Sequence, residues 1–206
     1  MSEKVIVFDL GKVIFDYDLD IAARALCSHS SKVSSFNSVV DFMTKNEKVL
    51  SDYEKGFISS TEFYDSIVGL LGLKNISFEK FSYIFNNIFT PNEDIIDFIQ
   101  LLSQKYELAI LSNTNQLHFD YLYNKYKEAF LCFKNMHLSY LMNARKPEKE
   151  IYEQVISLHN TSAENIFFTD DNDENVYSAM ICGIKAFSFK NISKLKQDLM
   201  SFGIEI

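Results

Sequence analysis

The sequence predicts an α/β protein: a Rossmann-like parallel sheet flanked by helices, interrupted by an inserted all-helical cap. Two observations carry this. From residue 90 onward, short apolar runs that stop at serine, asparagine or aspartate alternate with amphipathic stretches. Strands that alternate with helices in this way imply βαβ crossovers and a parallel sheet. Between the first strand and residue 89 the alternation lapses, the apolar spacing is helical, and no proline interrupts it. The core is therefore assigned to 1–15 and 90–206, and the cap to 16–89.

The first strand is the short β-branched run that begins at Val5 and ends in Phe8-Asp9-Leu10-Gly11. Such a run, bounded by turn residues, reads as a buried strand of a parallel sheet. The carboxyl end of that kind of strand faces the ligand crevice, which puts Asp9 at the mouth of a site. Asp16, Asp18 and Asp20 lead away from it and read as solvated hinge carboxylates rather than a second cation site. Within the cap, Ser59-Ser60-Thr61-Glu62 is a capping box before a stripe of Phe63, Ile67, Leu70 and Leu71, and Gly72 closes the helix. Phe78, Phe81, Phe85 and Ile88 form a second helical stripe.

Beyond the cap, Pro91 is expected to introduce a helix with Ile95, Ile96, Phe98, Ile99 and Leu102 inward. A second strand over 107–111 stops at Ser112-Asn113-Thr114-Asn115, followed by a helix with Leu117, Tyr121 and Leu122 inward. His118, near that helix start, reads as an exposed helical residue. A third strand-like passage runs from Phe130-Leu131-Cys132-Phe133 to His137-Leu138-Ser139. Arg145-Lys146-Pro147 opens a helix carrying Ile151, Val155 and Leu158, and Asn143 ahead of it tolerates a left-handed turn. Arg145 either lends positive potential to a pocket rim or pairs on the surface. A fourth strand over 165–169 is stopped by Asp170-Asp171, the following helix carries Val176, Ala179 and Met180 to Gly183, and 184–189 is a fifth strand.

Composition bounds the function. The chain of 206 residues is nearly half apolar, with a net charge of −8, so it is globular and ill suited to a nucleic-acid backbone. Cys27, Cys132 and Cys182 form no C-x-x-C and no metal pattern with histidine, and read as buried free thiols of a reducing compartment. No signal-peptide architecture and no run of membrane-spanning length is present, so a cytoplasmic location and no membrane partner are expected. The sequence is silent on oligomeric state.

Polar residues stand at four strand or helix ends in order: Asp9, Ser112-Asn113, Lys146 and Asp170-Asp171. The set suits phosphoryl transfer. A carboxylate can attack phosphorus, a hydroxyl and backbone N–H groups at a helix start can hold phosphoryl oxygens, a lysine neutralises charge, and paired carboxylates bind Mg²⁺. Taken singly, Lys146 could be a solvated lysine and Ser112 an N-cap.

The segments Phe8-Asp9-Leu10-Gly11-Lys12-Val13, Leu111-Ser112-Asn113-Thr114-Asn115, Arg145-Lys146-Pro147 and Phe168-Thr169-Asp170-Asp171-Asn172 with Asn175 together resemble the haloacid dehalogenase superfamily. The resemblance spans nearly the whole chain and is nearest the sugar-phosphate phosphatase branch, which includes glucose-1-phosphate phosphatases. It implies a magnesium-dependent phosphatase of a small phosphorylated metabolite, a sugar phosphate, working through an aspartyl-phosphate at Asp9. It further implies that Asp9, the Gly11 carbonyl and Asp171 ligate Mg²⁺ directly and Asp170 through water. Ser112 and the backbone around Asn113 would hold phosphate oxygens, and Lys146 would bridge nucleophile and phosphate.

One position departs from the family. Where its phosphatases usually carry a second aspartate, the general acid for the leaving group, this chain has Gly11. A positioned acid or base is worth roughly 10²–10⁴ in rate. A leaving group that needs little protonation, such as an anomeric oxygen, accommodates the loss, and Asp16 could swing in as a substitute. Haloacid dehalogenase chemistry also lacks that acid, but displacement at carbon needs no magnesium and leaves Asp170-Asp171 without a purpose. A non-catalytic binding protein is the third alternative.

Overall fold

The computed structural model describes residues 4–33, 35, 37, 39 and 44–206. Part of the expected helical insertion, at 34, 36, 38 and 40–43, lies outside the described residues. Along the chain, β1 (Val5–Phe8) is followed by β2 (Phe15–Tyr17), which pairs antiparallel with β3 (Phe89–Pro91). Then come β4 (Glu107–Ser112), β5 (Asn135–Leu138), β6 (Ile166–Asp170) and β7 (Lys185–Ser188). With β1 they form one parallel sheet in the spatial order β5-β4-β1-β6-β7. The central strand thus has β4 on one side and β6 on the other, the topological switch at which α/β sheets open a crevice.

Alternation along β1 builds both faces of the core, because successive strand side chains point to opposite sides. Ile6 and Phe8 join one apolar cluster with α5 (Glu93–Ser103), α6 (Gln116–Lys125), α7 (Lys127–Phe130) and α11 (Ile192–Ser201). Val5 and Val7 join the other, with α8 (Ser139–Met142), α9 (Lys149–Leu158) and α10 (Asp173–Ile181). Among the described residues, four cap helices, α1 (Leu19–Cys27), α2 (Glu47–Glu54), α3 (Ser60–Leu71) and α4 (Phe78–Asn86), gather around a third cluster of their own. Tyr53 stacks on Phe63 at 4.3 Å between ring centroids, and Phe81 on Phe85 at 5.5 Å. Ser59 makes the expected capping box, and Gly72 ends α3 in the left-handed conformation.

The structure departs from the sequence reading at several places. The two chain crossings between sheet and cap pair as the β2–β3 ribbon, where the sequence offered hinge carboxylates on one side and a helix start at Pro91 on the other. Its pairing runs from Phe15 opposite Pro91 to Tyr17 opposite Phe89. Pro91 therefore ends a strand, and α5 begins two residues later behind Asn92. Phe130–Phe133 is the end of α7 and a turn rather than a strand. Phe130 and Phe133 are buried three residues apart while Leu131 points to solvent, which is helical rather than alternating exposure. The strand on that edge is β5. Leu158 and Met180 are exposed, so each apolar stripe stops short of its helix end; in α9, fully buried Tyr152 completes it instead. The three cysteines are free but only half-buried. Among the described residues, no helix is long and apolar enough to cross a membrane.

Phe63 is fully buried at the centre of the cap cluster. Replacing it by alanine is expected to cost about 3–5 kcal/mol, read as a lowered urea midpoint in equilibrium unfolding.

Candidate active site

The parallel register brings three strand ends to one point. Phe8 lies opposite Ile110 on β4 and Thr169 on β6, so Asp9, Leu111 and Asp170 follow side by side, and the Asp9 N–H donates to the Thr169 carbonyl at 2.9 Å. Into this point reaches Lys146, only 1% exposed, from the loop before α9. Its ammonium lies 2.7 Å from Asp9 Oδ1 and 2.6 Å from Asp170 Oδ2, and it donates to the Leu111 carbonyl at 2.9 Å. All three N–H groups are engaged. Here Lys146 bridges Asp9 to Asp170.

Each member of this set is held from behind. Asn113 grips the Lys146 main chain twice: its Nδ2 donates to the Lys146 carbonyl at 2.7 Å, and its Oδ1 accepts from the Lys146 N–H at 2.8 Å. Asp170, wholly buried, accepts from the Asn172 N–H at 2.8 Å and from Asn175 Nδ2 at 3.1 Å on both oxygens. The Asn175 carbonyl in turn accepts from Tyr152 at 2.8 Å. Beside them, Ser139 fastens the loop after β4, accepting from the Thr114 N–H and donating to its carbonyl. Asn143 adopts the expected left-handed turn, at φ 54°.

Charge is unbalanced at the strand ends. Asp9, Asp170 and Asp171 bring one oxygen each within 4.8 Å of one another, with Lys146 as the cation between the first two. Burial pushes the Asp9 carboxyl up to about 7, against the pull of Lys146 and with Asp170 adding to the rise. Burial and Asp170 likewise raise Asp171. A hard dication coordinated by oxygen would relieve both, and a site of few carboxylates with room for water suits Mg²⁺. Asp170 already spends both oxygens on the lysine and the asparagines, whereas Asp171 is exposed at the pocket.

Above these groups lies a cavity of about 330 Å³, lined by Asp9, Ser112, Asn113, Lys146 and Asp171 from the core and by Leu50, Glu54 and Phe85 from the cap. The flap between β1 and β2 forms one wall. Lys12 takes the left-handed conformation there, pairs with Asp16, donates to the Tyr17 carbonyl at 2.7 Å and lies over the Tyr17 ring. The ring thereby covers Gly11, where an added Cβ would stand 3.0 Å from Tyr17 Cε1. Asp16 is exposed and bound to Lys12, not turned toward Asp9. Asp18 caps α1 and Asp20 lies beside Arg24, so the acidic run gathers no cation site among the described residues.

His118 overturns the expectation of an exposed residue. It lines the cavity, stacks on Phe85 at 4.1 Å, and has Nε2 at 3.1 Å from the Phe85 carbonyl and Nδ1 at 3.1 Å from Asn115 Nδ2. Arg145 lines the cavity, and its pairing, at 3.2 Å with Glu54 of the cap, is with another cavity-lining residue rather than on the open surface. Glu54 and Tyr17 were missed by sequence reasoning. Nothing in the polar run of α2 marks one glutamate as inward-facing, and Tyr17 reads as one more residue of an acidic hinge.

A parallel sheet flanked by helices, with carboxylates at its strand ends beneath inserted helices, defines a Rossmann-like α/β protein with a cap. Residues 6–189 match the family model of haloacid dehalogenase-like hydrolases, and the chain belongs to that family. It is 26% identical over 207 residues to D-ribitol-5-phosphate phosphatase of Bacteroides thetaiotaomicron, covering 95% of this chain and 96% of the relative. A solved structure of a haloacid dehalogenase family enzyme from the same organism superposes with a TM-score of 0.83 at 24% identity, over 95% of this chain and 99% of that one. A wild-type complex of that enzyme with magnesium and inorganic phosphate gives 0.78 at 25% identity, over 94% and 98%.

Burial of His118 pulls its pKa down to about 4, the Phe85 carbonyl opposing. The native state therefore resists a proton that the unfolded chain accepts near its ordinary value of about 6.5. The stability advantage is complete above that value and is lost as pH falls toward 4. The unfolding free energy of the parent protein relative to that of His118→Phe should therefore fall as pH drops through that window, as measured by urea titrations at successive pH values.

Proposed function

We propose that this hydrolase is a magnesium-dependent phosphomonoesterase that works through an aspartyl-phosphate at Asp9. The observation that carries the reading is the buried Lys146 between Asp9 and Asp170 on the floor of the cavity, with Asp171 alongside. The division behind it is a core of 1–15 and 90–206 with a cap of 16–89, which places the reacting groups on the core and roofs them with helices.

Asp9 is assigned as nucleophile. One of its oxygens forms a bond to phosphorus while the bond from phosphorus to the ester oxygen breaks. The departing alkoxide takes its proton from water, since position 11 offers no acid. Water then attacks phosphorus, gives up a proton, and releases inorganic phosphate with return of the Asp9 carboxylate. Ser112 and the backbone at Asn113 are assigned to the phosphoryl oxygens, and Lys146 to positioning Asp9 and offsetting charge as it develops. Asp9, the Gly11 carbonyl and Asp171 are assigned to Mg²⁺ directly, and Asp170 through water. The dication, when bound, offsets phosphoryl charge and orients the transferring group.

The substrate is assigned as a small sugar or sugar-alcohol phosphate. Support comes from the name of the Bacteroides thetaiotaomicron relative, a phosphatase of an alditol phosphate, and from the mixture of apolar and charged groups in the cavity wall. Gly11 favours leaving groups that need little protonation.

The test is release of inorganic phosphate from a panel of sugar and alditol phosphates, D-ribitol-5-phosphate and an anomeric phosphate among them, with magnesium or a chelator. Turnover that requires magnesium and falls to the protein-free level in a folded Asp9→Asn variant is the expected result. Wild-type-like turnover in that variant would sink the covalent mechanism.

A further inference from the structure

Tyr17 is fastened everywhere except at its hydroxyl. It stands opposite Phe89 in the β2–β3 ribbon, meets the Phe89 ring edge-on at 6.1 Å between centroids, and has the Lys12 ammonium 4.5 Å from its own ring centre. Its N–H donates to Asp16 Oδ1 at 2.8 Å, and its carbonyl accepts from Lys12 at 2.7 Å. The residue is half-buried, yet its hydroxyl makes no hydrogen bond among the described residues. Tyr53, Tyr64 and Tyr152 place theirs on Ser60 Oγ, the Ile76 carbonyl and the Asn175 carbonyl, at 2.7, 2.7 and 2.8 Å. A tyrosine hydroxyl taken out of water usually finds such a partner. Nor is the Tyr17 hydroxyl sealed away, as the unbonded Glu54 Oε2 and Arg145 Nε are. It opens on the cavity that Tyr17 lines together with Asp9.

The ring arrives over Gly11 with its hydroxyl-bearing edge first. A Cβ at position 11 would stand 3.0 Å from Tyr17 Cε1 but 3.7 Å from Cδ1. The phenol therefore fills space beside the backbone two residues beyond Asp9. Burial first, then Asp171 and Asp9 on the cavity floor and Glu54 in the cap, hold its pKa above the ordinary tyrosine value. It is thus a neutral O–H in the cavity wall, within the field of floor and cap carboxylates alike. Its polar neighbours in the wall are already committed: His118 has both ring nitrogens engaged, and Arg145 is paired with Glu54.

Attacking and leaving oxygens lie roughly in line across phosphorus. With Asp9 attacking from the floor, the ester oxygen departs upward, into the space walled by Tyr17. We propose that the Tyr17 hydroxyl donates a hydrogen bond to that departing oxygen, making Tyr17 a catalytic residue of the first step. Such a bond strengthens as negative charge develops on its acceptor, and a donor already in place acts without reorganisation. No proton changes hands: the phenol stays neutral throughout, and the alkoxide still takes its proton from water. The benefit depends on the leaving group. An alkoxide, which gathers much charge, gains most from the bond, whereas a nitrophenolate, stable as an anion, gains little.

The inference rests on the phosphomonoesterase reading, and the test separates the two. Tyr17→Phe removes the hydroxyl and keeps the ring over Gly11. With magnesium, kcat/KM is measured in the parent and in this variant for the alkyl phosphate of the panel that is turned over best, and for 4-nitrophenyl phosphate. The expected result is a loss of at least about tenfold on the alkyl phosphate, with the nitrophenyl ester little changed. Equal losses on both esters, or no loss on either, would overturn the role of Tyr17 and leave the phosphatase standing. No phosphate release by the parent from any ester would overturn the phosphatase reading and this inference together. Urea unfolding supplies a second readout. A hydroxyl without a protein partner contributes little to stability, so Tyr17→Phe should keep the parent's midpoint. A clearly lowered midpoint would mark the hydroxyl as structural and count against the proposal.

Discussion

The structure depends on one buried ammonium. Lys146 is withdrawn from water, and three acceptors replace its hydration: Asp9 at the end of β1, Leu111 at the end of β4 and Asp170 at the end of β6. A buried charge is tolerable only when paired and fully hydrogen-bonded, and deleting one member strands the others. The lysine consequently fixes the relative heights of three strands as well as the orientation of the proposed nucleophile. Its own position is set by Asn113, whose amide clasps the lysine main chain from the turn after β4. Structural and chemical roles coincide here: the contact that pins the sheet's end is the contact that aims Asp9.

That arrangement leaves a charge deficit. Three carboxylates share one ammonium, two of them buried and Asp171 exposed at the cavity, and burial first, with Asp170 adding, holds the Asp9 carboxyl above its ordinary range. The network behind Asp170 removes its oxygens from competition, since Asn172, Asn175 and Lys146 occupy them. What remains open toward the cavity is Asp9 and Asp171, with the Gly11 carbonyl on the adjoining flap. The division between a carboxylate that holds the frame and carboxylates that meet the ligand thus follows from hydrogen-bond accounting alone.

Most of this frame was legible in the sequence because it lies on strongly periodic elements. β1, β4 and β6 are apolar runs with abrupt polar ends, and Asp9, Ser112-Asn113, Lys146 and Asp170-Asp171 were readable as one set for that reason. Long-range packing hid the rest. The β2–β3 ribbon is only three residues on each side and joins segments more than seventy residues apart, so no local pattern announces it. Phe130–Phe133 has the composition of a strand, but its burial at a spacing of three follows from a turn of helix packing beneath the sheet edge. His118 and Glu54 carry no local signal of inwardness. Each faces the cavity because cap and core meet there, and that meeting is a tertiary fact.

The flap shows how that tertiary fact reaches the chemistry. Lys12 is held in a left-handed turn by the strand behind it, and by bonding Asp16 and the Tyr17 carbonyl it turns the Tyr17 ring onto Gly11. A side chain at position 11 would press against that ring, so the absent acid and the placed tyrosine are one packing solution. The same tyrosine ring meets Phe89 of β3 edge-on, at 6.1 Å between centroids, and so touches both chain crossings into the cap. Cap position, flap position and the space above Asp9 are therefore mechanically linked through a single aromatic ring.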